Sequence, residues 1–312
     1  MRARAWAASV LAVLALAALA VGLSSASFTA GSQNPQTVSA VADFVAPSAG
    51  ASAIVKSQGG VGGYIKAKGS YHVYADVSES GNPASGTASV KADVSALTSG
   101  QTAVALSAGS YTVGGASYDY RSAQLTASSG LGAGSKSYSL ALADAAGNTR
   151  SQSFTAIVDN GPFAGSGFET ANASGGTSGR AERGDTVSFS FSEAPDPASI
   201  VAGWDGSASR AVTVSIADKS GNDTLSVSGA TVGSVALQGD YTTSGRTTTF
   251  SASTMSVSGA TVTIVLGTDS AGNARTETDK NKPVWTPSAS TYDAAGNACA
   301  TTTVTAANAR QF

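Results

Sequence analysis

At 312 residues the chain is long enough for two domains of ordinary size. Charged residues make up 12% of it, about half the usual share, and Ser, Thr, Gly and Ala take their place, so a folded surface here is wetted by hydroxyls rather than by charge. A net charge of −2 with no Lys/Arg cluster excludes nucleic acid as a partner, and a single His with a single Cys cannot assemble an ordinary zinc site.

The first 26 residues, 1–26, read as a signal peptide. Arg2 and Arg4 give the positive start, Ala5 to Leu23 carries no charge, and Ser24-Ser25-Ala26 supplies small residues for cleavage. An uncleaved anchor is the competing reading, since a run of about 20 apolar residues can span a bilayer. Cleavage is expected because small residues, not a polar anchor, follow the run. The chain is therefore expected to be secreted, extracellular or cell-surface associated, touching membrane only through this segment if it stays uncleaved. Residues 27–48 form the N-terminal segment of the mature chain. From the cleavage point onward, Ala26-Ser-Phe-Thr-Ala30 and Ala42-Asp-Phe-Val-Ala-Pro47 resemble the mature start of secreted Gram-positive proteins with a biofilm-matrix type leader.

Beyond residue 49 several runs alternate apolar with polar residues, the mark of half-buried strands. Val73, Ala75 and Val77 share one face, and His72, Tyr74 and Asp76 the other. Val90, Ala92 and Val94, then Tyr138, Leu140 and Leu142, then Phe154, Ala156 and Val158, repeat the pattern. Gly, Asn, Pro and Ser punctuate the runs, most tellingly as a returning phrase: Asp144-Ala-Ala-Gly-Asn148, Asp218-Lys-Ser-Gly-Asn222, Asp269-Ser-Ala-Gly-Asn273 and Asp293-Ala-Ala-Gly-Asn297. Asp bonds its own backbone two residues on and Gly takes positive φ, so each phrase predicts a turn. Roughly seven strands in about 110 residues predict a first immunoglobulin-like sandwich over 49–160.

Residues 161–183 are glycine-rich with little alternation and read as a linker and entry segment holding part of an entry strand. A second sandwich is predicted over 184–312, with Val187, Phe189 and Phe191, Val212, Val214 and Ile216, and Val262, Ile264 and Leu266 facing inward. Asp196 can cap and Pro197 suits a first helical position, so 196–202 predicts one short helical turn, with Ile200 and Trp204 closing one end of the core. The last strand is predicted over Cys299 to Thr305. Cys299 reads as a small buried residue, against the sharper alternative of a disulfide between chains.

Gly184-Asp-Thr-Val-Ser-Phe-Ser-Phe-Ser-Glu-Ala-Pro-Asp-Pro-Ala-Ser-Ile200 resembles the opening of bacterial Ig-like modules from surface-layer and cell-surface proteins. Asp144-Ala-Ala-Gly-Asn148 followed by Phe154-Thr-Ala-Ile-Val-Asp-Asn160 is similar to the closing hairpin of another bacterial Ig-like type, and the layout with Trp204-Asp-Gly and Trp285-Thr-Pro is similar to secreted actinobacterial proteins. The resemblance implies an all-β chain of two antiparallel Ig-like sandwiches in tandem, with a structural, adhesive or spacer role.

Catalytic constellations are missing from the pattern. His72 is the one histidine and sits on a strand, no Gly-x-Ser-x-Gly elbow or Gly-x-x-x-x-Gly-Lys loop occurs, and no carboxylate pair stands out. Calcium is the one cofactor with candidate ligands. Asp218, Asn222 and Asp223 offer oxygens in one turn, and Asp269 with Asn273 and Asp144 with Asn148 do so more weakly, although turn formation explains the same residues and no dedicated calcium loop is present. For a glycan, Tyr74 beside His72 is the best stacking candidate, against the reading of a cross-strand aromatic pair. The expected function is a structural or adhesive protein without catalysis, its partners cell-surface or matrix components, glycans among them. Self-association through exposed sheet edges is a further route. A glycan- or host-surface-binding module and an extracellular hydrolase, or accessory domain of one, are the alternatives.

Overall fold

A computed structural model describes residues 43–269, 271–278, 281–309 and 312. The signal peptide, and the N-terminal segment as far as residue 42, lie outside the described residues. No helix among the described residues is long and apolar enough to cross a membrane.

The chain is all-β and forms two sheets. The first has nine strands: β1 (Ser48–Lys56), β2 (Tyr64–Ile65), β3 (Ser70–Ser78), β4 (Thr87–Asp93), β5 (Val104–Val113), β6 (Ala116–Ser122), β7 (Leu125–Thr126), β8 (Gly134–Asp144) and β9 (Thr149–Val158). Its order is β1-β3-β6-β5-β4-β8-β9-β2, with β7 beside β3. All pairs are antiparallel except β2 with β9. Gly63 draws the two ends of this order together, donating its N–H to Ile54 O of β1 at 2.7 Å and accepting from Ile157 N of β9 at 2.8 Å. The sheet therefore curls on itself around Ile54, Ile65, Tyr71, Val73, Ala75, Leu97 and Leu140, all of them fully buried. The alternation read from sequence is the physical cause. On β8, Tyr138, Leu140, Leu142 and Asp144 turn inward at every second position.

The second sheet has eleven strands: β10 (Phe163–Ala171), β11 (Thr186–Phe191), β12 (Arg210–Ala217), β13 (Thr224–Ser228), β14 (Ser234–Ala236), β15 (Thr247–Ser258), β16 (Thr261–Val265), β17 (Thr268–Asp269), β18 (Val284–Thr286), β19 (Cys299–Ala300) and β20 (Val304–Thr305). Its order is β19-β10-β11-β16-β15-β12-β13-β14-β18-β20. An aromatic pile fills its core. Phe163 stacks on Phe191 at 5.2 Å, and Trp285 meets Phe189 and Phe191 edge-on at 5.2 and 5.3 Å. The buried indoles keep partners, Trp204 Nε1 donating to Ala208 O and Trp285 Nε1 to Val232 O.

Three local readings change. The glycine-rich stretch read as linker and part of an entry strand holds a full nine-residue strand, β10, paired with β11, so the connection between the sheets shrinks to residues 159–162. Two glycines hide the alternation there. A bulge between Gly165 and Gly167 shifts the register, and a Cβ on Gly165 would stand 2.7 Å from both Trp285 Cζ3 and Pro287 Cγ. The final strand is two short ones with different neighbours, β19 beside β10 and β20 beside β18. The helical turn is shorter than 196–202: α1 (Pro197–Ile200) has Asp196 as its N-cap, whose Oδ1 accepts from Ala198 N at 3.0 Å. Ile200, Trp204 and Cys299 are buried in the second core.

Candidate functional site

The returning turn phrase divides into two kinds. In Asp144–Asn148, Asp144 Oδ1 accepts from Asn148 N at 2.7 Å, and Asn148 Nδ2 donates to Asp144 Oδ2 at 2.7 Å and to Asp43 O at 3.1 Å. Asp293–Asn297 repeats this. Asp293 Oδ1 accepts from Asn297 N at 2.8 Å, and Asn297 Nδ2 reaches Asp293 Oδ2 at 2.7 Å and Asp159 O at 3.1 Å. Each clasp thus pins the residue that leads into the first strand of its own sheet. The other two phrases make plain turns. Asp269 Oδ1 accepts from Ala271 N and Gly272 N, Asp218 Oδ1 accepts from Ser220 N, and Asn222 Oδ1 accepts from Gln238 N.

The second clasp is also where the two sheets meet. Lys56, at the end of β1, and Lys66, just past β2, both reach it. Lys56 Nζ donates to Ala294 O at 3.0 Å, and Lys66 Nζ donates to Gly296 O at 2.6 Å. Lys56 Nζ also pairs with the carboxylate of Asp196, the cap of α1. Both side chains are almost wholly out of water, at 4% and 1% exposure. A cleft of about 840 Å³ opens beside this joint, walled by Gln58 to Gly63, the β5–β6 hairpin tip at Gly114 and Gly115, Tyr118 and Asp205.

Among the described residues, three groups of carboxylates bring oxygens within 4.8 Å of one another: Asp43, Glu79 and Asp144; Asp159, Glu193 and Asp293; Asp218, Asp223 and Asp240. The first two are built alike. Each takes the Asp held by a clasp, the Glu that follows the next long strand (Ser78-Glu79 after β3, Ser192-Glu193 after β11) and the Asp that opens the clasp. Asp43 accepts from Val45 N and Ser85 N, and these bonds hold its carboxyl below the usual range. Glu79 Oε1 accepts from Ser80 N and Gly81 N, while its Oε2 is buried without a hydrogen-bond partner. Glu193 is pushed up to about 7, first by burial and then by Asp159 and Asp293 beside it. The third group is stapled by backbone. Asp223 Oδ1 accepts from Lys219 N and its Oδ2 from Tyr241 N and Thr242 N, while Asp218 Oδ2 accepts from Gly245 N. Burial nonetheless raises the Asp223 carboxyl above its usual value.

No family model matches this chain, and no curated protein matches it.

Of the residues singled out from sequence, Asp218 and Asp223 do come together, with Asp240 as third member. Asn222 spends its oxygen on Gln238 N. Asp144 joins Asp43 and Glu79. Asp269 holds its own turn, and the Asn273 side chain donates to Thr247 O. Tyr74 is buried in a cross-strand aromatic cluster with Tyr111 and Tyr118, ring centroids 5.9 and 5.5 Å away. His72 meets its edge at 6.1 Å and places Nδ1 3.0 Å from Ser122 O. Sequence reasoning missed Lys56, Lys66, Asp43, Glu79, Asp159 and Glu193. The usable signal was the identity of two phrases, Asp-Ala-Ala-Gly-Asn at 144 and at 293, against the variants at 218 and 269.

Proposed function

We propose that this chain is a secreted or cell-surface structural protein, two Ig-like β-sandwiches in tandem without catalysis, serving adhesion or spacing in extracellular matrix. The observation that carries this reading is the joint. Two lysines of the first half grip one turn of the second, and a buried Lys56–Asp196 pair locks them. A protein that transmits load or holds a binding face at fixed distance needs a stiff connection, and a four-residue connection backed by buried polar contacts supplies one. Equivalent clasps and carboxylate groups in the two halves support reading them as repeated modules. The bacterial Ig-like resemblance of Gly184 to Ile200 agrees with a surface location. The single histidine faces the Ser122 carbonyl, and the Ser122 hydroxyl is tied into the strands, accepting from Val73 N and donating to Ala123 O. A glycan-binding reading draws on the cleft beside the joint, with Tyr118 and the Asp205 carboxylate on its wall.

Fractionation of producing cells tests the location. Protease shaving of intact cells should remove a C-terminal epitope while a cytosolic marker stays intact, and small-angle scattering of the purified chain should fit one rigid envelope. Recovery of the chain in the cytosolic fraction alone, or turnover of an extracellular polymer by the purified protein, overturns the reading. A glycan array separates the second reading, which requires a bound sugar displaced by Tyr118→Ala.

A further inference from the structure

We propose that Asp43, Glu79 and Asp144 form a calcium site, and that Asp159, Glu193 and Asp293 form its copy at the connection between the two sheets. Clustered acids alone do not make a metal site, and the first group carries a separate sign. Glu79 Oε2 is shut off from water and has no hydrogen-bond donor. A buried carboxylate oxygen left bare bears the desolvation penalty of a charged group with nothing in return. Its Oε1 is already fixed by Ser80 N and Gly81 N, so the side chain is positioned and one oxygen is left over. Asp43 and Asp144 are themselves buried around it. Among the described residues no ion pair joins a lysine or arginine to a carboxylate of either group, and at the second Lys56 and Lys66 bond the carbonyls of Ala294 and Gly296 instead. A cation is the missing partner.

Chemistry chooses the cation. All the side-chain donors are carboxylate oxygens, which excludes the nitrogen and sulfur preferences of zinc. Oxygens that all lie within 4.8 Å of one another can surround a single calcium ion, whose ligands stand about 2.4 Å from it. Magnesium asks for a tighter and more regular octahedron, which ligands from three separate loops do not supply. The second group repeats the first across unrelated stretches of chain, down to the Asn side chain that pins the leading Asp at 3.1 Å in both. The group at Asp218, Asp223 and Asp240 differs, because it has neither the glutamate nor the Asp–Asn clasp of the other two.

Occupancy of the second site would tie residue 159, in the connection, to Glu193 and Asp293 of the second sheet. The inference stands on the carboxylates and does not depend on a surface role.

The test uses the full chain stripped with EDTA and titrated with calcium chloride, followed by calorimetry and by thermal unfolding, with magnesium chloride as control. Two ions should bind with half-saturation at about 0.1–1 mM, the range of extracellular calcium modules, and raise the unfolding temperature. Glu79→Gln and Glu193→Gln keep side-chain volume and remove one repelling charge, so each should fold at least as well as the parent in EDTA and bind one ion instead of two. The double variant should bind none, and Asp240→Asn should still bind two. Absence of binding to the parent chain at 10 mM calcium (roughly tenfold above the weak end of that range), undiminished binding in the double variant, or loss of binding in Asp240→Asn would each overturn the assignment. The parent titration alone decides whether calcium binds should a variant fail to fold.

Discussion

Lys56→Met is the sharpest probe of the joint. The substitution keeps the length of the aliphatic stem and deletes one charge. What remains is the Asp196 carboxylate, 1% exposed, with Ala198 N still bonded to Oδ1 but no cation at Oδ2, and Ala294 O without its donor. Removing one partner of a buried pair costs about 3–5 kcal/mol, because the other charge is stranded in low dielectric. For a chain of this size each kcal/mol moves the melting temperature by about 2–4 °C, so a fall of roughly 6–20 °C is expected. Thermal unfolding read by far-UV circular dichroism and by the buried indoles of Trp204 and Trp285 measures the shift, and urea unfolding the free energy. Lys56→Met with Asp196→Leu should recover part of the loss, since no charge is left buried. The recovery stays incomplete by about 0.5–2 kcal/mol because the cap of α1 goes too. A single-variant loss below about 1 kcal/mol, in the range of a surface pair, or a double variant no better than the single, would refute the idea that a desolvated ion pair locks the joint.

Gly165→Val should destabilise by about 1–3 kcal/mol through overpacking, because its side chain enters space held by Trp285 and Pro287; denaturant titration checks this. Asp223→Ala strips the acceptor from Lys219 N, Tyr241 N and Thr242 N in a fully buried corner, and a loss of about 3 kcal/mol or more is expected in the same assay. In EDTA, Glu193 gives a pH signature. Its folded value of about 7 lies above the unfolded carboxyl value, so its contribution is fully present below about pH 4.3 and is lost as pH rises through 7. Melting temperature should therefore decline across that window, and Glu193→Gln should flatten the decline; an unchanged slope in the variant counts against the crowding.

The strands that alternate cleanly were legible from sequence. Val73, Ala75 and Val77, or Val212, Val214 and Ile216, needed no structure to be placed inward. β10 was not legible, because Gly165 and Gly167 erase the apolar period at the place where a bulge breaks it and Trp285 needs room. The turn phrase was legible as a turn, but its clasp was not, since the partner of Asn148 lies 105 residues away at Asp43. The carboxylate groups were invisible for a related reason. Glu79 and Glu193 are single acids in Ser- and Pro-rich loops, and only the fold carries Asp43 and Asp159 to them. Lys56 reads as an ordinary strand-end lysine until Asp196, 140 positions on, is brought to its tip.

Gly63 has a consequence for colloidal behaviour. Because its amide is committed to Ile54 on one side and its carbonyl to Ile157 on the other, the seam between β1 and β9 offers a stranger's backbone little to grasp. A chain with so few charges has weak repulsion to keep its copies apart at high density. Protection against runaway stacking must then come from geometry, and in the first sheet a residue without a side chain supplies it.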